Sequence, residues 1–173
     1  LDALAAAAVA LSEGEPLSAI ANRLKNFTGV KRRMERVGRA MNAEIYTDYA
    51  HHPTEIVAAL AAAPPHAGRL FVVFEPHTYS RTRDLMDGFS TAFGAADELI
   101  LAPVFASRET GDDEAIRTLY EKVKAHVPAR YFGGYDEINR YLKSVLTRGD
   151  LAIYMGAGTI NRAAEALVRD CAD

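Results

Sequence analysis

Two short stretches concentrate the reactive side chains of this 173-residue chain. The first, DYAHHPTE, brings Asp48, His51, His52 and Glu55 together in residues 48–55. The second, EPHTYSRTR, does the same for His77, Arg81 and Arg83 in residues 75–83. The first set could serve as a metal site, an acid–base pair or a polar turn. Adjacent histidines do not share the i, i+4 face of a helical zinc pair, so the metal site is the weakest of the three. Pro53 suits the first position of a helix, where its missing N–H costs nothing, and Glu55 suits the first turn. On that basis Asp48, His51 and His52 read as turn and cap residues unless a ligand engages them.

The second stretch raises an electrostatic conflict. Ser80 is placed to cap a helix over 81–93. Arg81 and Arg83 then fall in its first turn, where the helix dipole prefers acids. An anionic ligand gathered by the helix N-terminus, His77 and Arg81 would resolve this. The plain alternative is neutralisation by Asp84 and solvent.

Two further segments are suggestive. KNFTGVKRRMER holds Lys25, Lys31, Arg32, Arg33 and Arg36, and reads as a basic linker, with one or two arginines able to touch a phosphorylated ligand. A nucleic-acid patch is disfavoured because no aromatic platform accompanies it and the chain carries a net charge of −3. MGAGTINR supplies a Gly-x-Gly turn after a late strand, whereas a dinucleotide fingerprint belongs after the first. No Gly-x-x-x-x-Gly-Lys-Ser/Thr phosphate loop, Gly-x-Ser-x-Gly elbow or Cys–His nucleophile pair is present. Residues 1–173 therefore do not hold a complete catalytic machine.

The elements that must position these loops are legible as apolar runs. Strand-length runs occur at 43–47, 69–74, 98–104, 129–133 and 151–155. Helical patterns follow at about 53–63, 81–93, 113–125, 135–146 and 159–170. Strand–helix alternation predicts an α/β fold, a Rossmann-like, doubly wound, mostly parallel sheet. Two short helices, 2–12 and 17–26, precede it. Ligands in such sheets bind outside the carboxyl ends of the strands. The first strand flanks the topological switch point and the second is expected beside it, so the loops DYAHHPTE and EPHTYSRTR are where a site should lie. Tyr46, Phe71, Phe74 and Tyr154 are expected in the core. A hydrophobic fraction of 49% suits one such domain plus a small appendage. The lone Cys171 permits no intrachain disulfide and fits a reducing, cytoplasmic setting. The longest apolar run, 3–11, is too short to span a bilayer. The start at Leu1, inside a helical pattern, suggests a piece of a longer protein.

NFTGVKRRMER, DYAHHPTEI, FEPHTYSRTRDL and MGAGTI, in this order, resemble the C-terminal part of the Mur ligases. Within that family the resemblance is strongest to the branch that joins L-alanine to UDP-N-acetylmuramate. It implies that residues 1–39 comprise the closing helices of a central ATP-binding domain plus a linker, and residues 40–173 the Rossmann-like third domain. It implies an ATP- and Mg2+-dependent amide ligase of peptidoglycan synthesis working through an acyl phosphate, with the metal ligands outside this chain. The partners would be ATP, UDP-N-acetylmuramate, L-alanine and the protein's own N-terminal and central domains, with no nucleic acid and no membrane. By motif, Arg33 and Asp48 would bind nucleotide, and Tyr49, His51, His77 and Arg81 would surround the incoming amino acid. Thr78 stands where many alanine-adding members carry arginine, which leaves a murein peptide ligase open. A non-catalytic anion-binding module is the reading from a different class, and a small metal-dependent hydrolase using Asp48 and the histidines is a third.

Overall fold

The computed structural model describes residues 2–111 and 113–172. The chain forms two compact units, divided between Val30 and Lys31. The first contains α1 (Asp2–Ser12) and α2 (Leu17–Lys25). Of its hydrophobic side chains Ile20 is buried, whereas Leu4, Val9, Leu11, Leu17, Leu24, Phe27 and Val30 are exposed.

The second unit begins with a basic segment that turns directly into β1 (Glu35–Ala40). Met41 and Asn42, both at positive φ, close a tight hairpin onto β2 (Ala43–Asp48). There follow α3 (Pro53–Ala61), β3 (Leu70–Phe74), α4 (Tyr79–Asp84), α5 (Met86–Thr91) and β4 (Glu98–Leu101). The unit ends with α6 (Glu114–Val123), β5 (Ala129–Tyr131), α7 (Tyr135–Val145), β6 (Leu151–Met155) and α8 (Ile160–Asp170). The sheet order is β1-β2-β6-β3-β4-β5, parallel throughout except for the antiparallel edge strand β1.

All five residues of β3 and of β6 are buried, as expected of strands covered on both faces. Alternation along them feeds two cores. Val72, Phe74, Ile153 and Met155 join Ile56 of α3, Phe89 of α5 and Leu119 of α6 on one side. Phe71, Val73, Ala152 and Tyr154 join Ile138 and Leu142 of α7 and Leu167 of α8 on the other. The doubly wound, mostly parallel fold read from the sequence is the fold observed. Phe71, Phe74 and Tyr154 are fully buried in it, and Tyr46 is partly buried.

Two expectations are corrected. The strands carrying the two reactive loops are not neighbours, because β6 lies between β2 and β3. The helix expected over 81–93 is two short helices, with Leu85 at their junction in a non-helical conformation (φ −107°, ψ 17°).

Candidate functional site

Asp48, Met155 and Phe74 are in register across β2, β6 and β3, so three loops leave the carboxyl edge side by side. The insertion of β6 puts the glycine turn at the centre of the site instead of at its margin. Gly156 has φ 153°, a conformation that favours glycine, and a Cβ there would lie 2.8 Å from the Glu75 carbonyl oxygen.

In the first loop the Asp48 carboxylate is held by main chain. Oδ1 accepts from the N–H of Ala50 at 2.8 Å and Oδ2 from that of Met34 at 2.8 Å. The two histidines have different duties. His52 is the N-cap of α3, its Nδ1 accepting from the N–H of Thr54 at 3.3 Å, ahead of Pro53 at the helix start. For this residue the turn-and-cap reading holds. His51 faces the other way, with Nδ1 2.9 Å from the carbonyl of Tyr49 and its N–H donating to Glu55 at 3.0 Å. Burial is the largest influence on Glu55 and raises its pKa. The N–H groups of His51 and His52 and the nearby charges of His51 and Arg33 together outweigh it and leave the carboxyl below its usual value.

The basic segment sorts its arginines sharply. Arg33 is exposed, with its guanidinium 5.7 Å from the Tyr49 ring. Arg32 turns inward, donating to the carbonyl of Gly156 and lying 4.7 Å above the ring of Tyr49. The N–H of Tyr49 in turn donates to the carbonyl of Arg32 at 2.7 Å. Arg32 and Met34 both have positive φ.

Rings then run across the edge. Tyr49 and His51 meet edge-on at 5.4 Å, His51 and His77 at 6.2 Å, and His77 stacks on Phe105 at 5.4 Å with 11° between planes. The structure thus brings Tyr49, His51 and His77 together. His77 Nδ1 is buried and has no hydrogen-bond partner among the described residues. Burial, then the charges of Arg81 and His51, lower its pKa, so the ring is neutral near pH 7.

The second loop corrects the capping argument. Thr78, not Ser80, is the N-cap of α4, and it makes no side-chain capping bond. Ser80 lies inside the helix, and its N–H donates to Glu109 Oε2 at 2.9 Å while its hydroxyl donates to Oε1. Thr78 Oγ1 donates to the same Oε1 at 2.6 Å. Because α4 has only six residues, Arg81 and Arg83 lie in its last turn, where cations suit the dipole. The conflict inferred for a longer helix is relieved at Arg83, while Arg81, third of the six residues, belongs to the first turn as well as the last. Another observation keeps an anion site open: the guanidinium of half-buried Arg81 makes no ion pair or hydrogen bond among the described residues, and its charge acts on His77.

Sequence reasoning passed over two acids. Glu75 is 1% exposed. Its Oε1 accepts from the N–H of Ile160 at 3.2 Å, and its Oε2 accepts the Tyr135 hydroxyl, tying β3 to α7 and α8. Burial pushes its carboxyl above the usual value. Glu109 was hidden in a loop with no motif; only its partners mark it. Among the described residues, no group of three His, Cys, Asp or Glu side chains is arranged to hold a metal ion. Among the described residues no helix is long and apolar enough to cross a membrane.

The profile of the family described as Mur ligase, glutamate ligase domain, matches residues 32–158. The chain belongs to the Mur ligase family. Among curated Mur ligases it is 43% identical over 169 residues to the UDP-N-acetylmuramate–L-alanine ligase of Clostridium novyi, covering 95% of this chain and 37% of that protein. The enzyme of the same name from Desulfitobacterium hafniense is 42% identical, with coverages of 97% and 38%. The chain thus spans little more than a third of these relatives. Among solved Mur ligases, the UDP-N-acetylmuramate–alanine ligase of Thermotoga maritima superposes with a TM-score of 0.76 at 24% identity, over 97% of this chain and 36% of that one. A murein peptide ligase from Psychrobacter arcticus gives a TM-score of 0.68 at 25% identity, over 96% and 35%. The Mur ligase C-terminal fold accounts for the six-stranded sheet and its edge loops.

Proposed function

We propose that this chain is the C-terminal part of an ATP-dependent amide ligase that joins L-alanine to UDP-N-acetylmuramate, within the cytoplasm. The reading rests above all on the 43% identity, over 95% of the chain, to a ligase of that name. In such a reaction ATP phosphorylates the muramoyl carboxylate, and the amine of the amino acid attacks the acyl phosphate and displaces phosphate. Charge gathers on phosphoryl and carbonyl oxygens, so catalysis depends on positioning and electrostatics. Mg2+ would neutralise phosphate charge from ligands outside this chain.

Each residue here has a duty that fits this assignment. Arg33, exposed beside Tyr49, would meet phosphate oxygens. Asp48 uses one acceptor site on each oxygen for main chain, and a carboxylate oxygen has about two, so it can also accept a ribose hydroxyl. Arg81 would hold the carboxylate of the amino acid. His77, neutral near pH 7, would add a ring N–H instead of a second cation. Tyr49 and His51 would flank the amine. The exposed apolar side chains of α1 and α2 are suited to cover by a central domain, and the chain alone is not expected to turn over.

A murein-peptide acceptor is the second reading, favoured by the likeness to the Psychrobacter arcticus ligase. The deciding experiment measures phosphate release from ATP by the full-length protein that contains this chain, given UDP-N-acetylmuramate with and without L-alanine. Release that requires both substrates establishes the first reading. Release with a murein peptide but not with L-alanine selects the second. No release with either sinks the ligase assignment.

A further inference from the structure

The segment 103–111 is strapped onto the turn that carries His77 and Arg81. The N–H of Phe105 donates to the carbonyl of Pro76 at 2.8 Å, and its ring covers His77. A Cβ at Gly111 would lie 2.5 Å from the Tyr79 ring, so the strap passes too close there for any larger residue. Between these contacts Glu109 places its carboxylate on Thr78 and Ser80. The hydroxyls of Ser80 and Thr78 and the N–H of Ser80 pull it down to about 2, so it stays charged at any physiological pH.

The donors that the sequence seemed to offer a ligand at the start of α4 are therefore occupied by the chain's own carboxylate. The charged and titratable groups acting on His77 are Arg81, His51 and Glu109. One cation without an ion pair among the described residues thus stands near one fixed anion. A ligand with a single carboxylate can neutralise Arg81. A second carboxylate placed towards the strap would meet Glu109, which is fixed on Thr78 and Ser80.

We propose that Glu109 is a specificity-determining residue: it confines the acceptor's carboxylate to Arg81 and discriminates against acceptors that carry a second carboxylate. The inference rests on the ligase reading and adds an acceptor rule to it. Discrimination of this kind is repulsive design, in which a fixed like charge rejects the wrong ligand.

The test compares kcat/KM for L-glutamate and L-alanine in the full-length ligase, with Glu109→Gln and Thr78→Val beside wild type. Glu109→Gln keeps the shape and removes the charge, and it should raise the L-glutamate to L-alanine ratio about tenfold. Thr78→Val loosens the same clamp but keeps the charge, and should leave the ratio near wild type. Equal losses for both acceptors in Glu109→Gln would make Glu109 merely structural and overturn the proposal. A ratio that rises equally in both variants would overturn it too, assigning the effect to loop geometry. His77 followed by NMR gives a readout besides activity: without Glu109's charge its titration should move to lower pH, and an unmoved midpoint would show that the charge does not reach the site. No acceptor-dependent phosphate release in wild type would remove the ligase reading and this one with it. An active ligase with an unchanged ratio would remove this one alone.

Discussion

The two ends of the sheet treat buried aspartates alike and their charges differently. At the amino end, before β6, Asp150 is 2% exposed. It accepts from the N–H of Arg69 at 2.8 Å and of Thr147 at 2.9 Å, and the guanidinium of Arg69 adds an ion pair at 2.9 Å. Burial is the largest influence on Asp150 and raises its pKa, but these donors together leave it below the usual value. At the carboxyl end, Asp48 is 5% exposed and also accepts two main-chain N–H groups, yet no cation pairs with it among the described residues. Arg81, beside the neighbouring loop, likewise makes no ion pair there. The amino end matches its buried aspartate with a counter-charge; the carboxyl end leaves charges of both signs without one among the described residues. The same main-chain geometry serves both, so main-chain hydrogen bonding alone does not tell the two aspartates apart; the counter-charge does.

The largest effect should come from breaking the satisfied end. Asp150→Ala would strand the N–H groups of Arg69 and Thr147 and should cost about 3 kcal/mol of stability, read by chemical denaturation. ATP kinetics of the full-length enzyme should not change; a matching rise in the ATP KM would dissolve the contrast between the ends. Next comes Arg81→Ala, which should raise the amino-acid KM about thirtyfold, as expected for loss of a charged hydrogen bond, and leave the ATP KM nearly alone. Equal changes in both would detach Arg81 from the acceptor. Asp48→Asn keeps the volume and removes the charge, and should raise the ATP KM about tenfold with a stability loss of about 1 kcal/mol. Unaltered nucleotide kinetics would make Asp48 a second Asp150.

The smallest effect is acid loosening of the strap. The carboxyl of Glu109 sits at about 2 in the fold against an ordinary 4.5. A lowered folded value means its stabilisation is fully present above about 4.5 and fades as pH falls towards 2. The amide resonance of Ser80 should therefore titrate with a midpoint near 2 in wild type and stay flat in Glu109→Gln. A wild-type midpoint near 4.5 would mean the clamp does not hold in solution.

Much of this architecture was legible locally. Continuous apolar runs marked strands that helices cover on both faces, and Pro53 with Glu55 marked the start of α3. Other features were not, for identifiable reasons. Parallel strands can be inserted between any two others, and no short-range pattern announced β6 between β2 and β3. Adjacent arginines look alike in a sequence, and only the folded contacts show that Arg32 reaches the Gly156 carbonyl while Arg33 stays exposed. The break at Leu85 shortened the helix beneath Arg81 and Arg83, which removed the dipole argument for Arg83.

Side-chain chemistry and periodicity, which are local, sufficed to determine the fold class and the two reactive loops, and the resemblance to the Mur ligases named Arg33, Asp48 and Tyr49 as candidates beside them. The tertiary structure decided the rest: which histidine caps and which faces its partner, which arginine is free, and that Glu109 occupies the donors at the start of α4. Those outcomes depend on contacts between residues far apart in the chain, such as the 29-residue separation between Ser80 and Glu109, and hydrogen-bond donors take whichever acceptor the fold delivers to them.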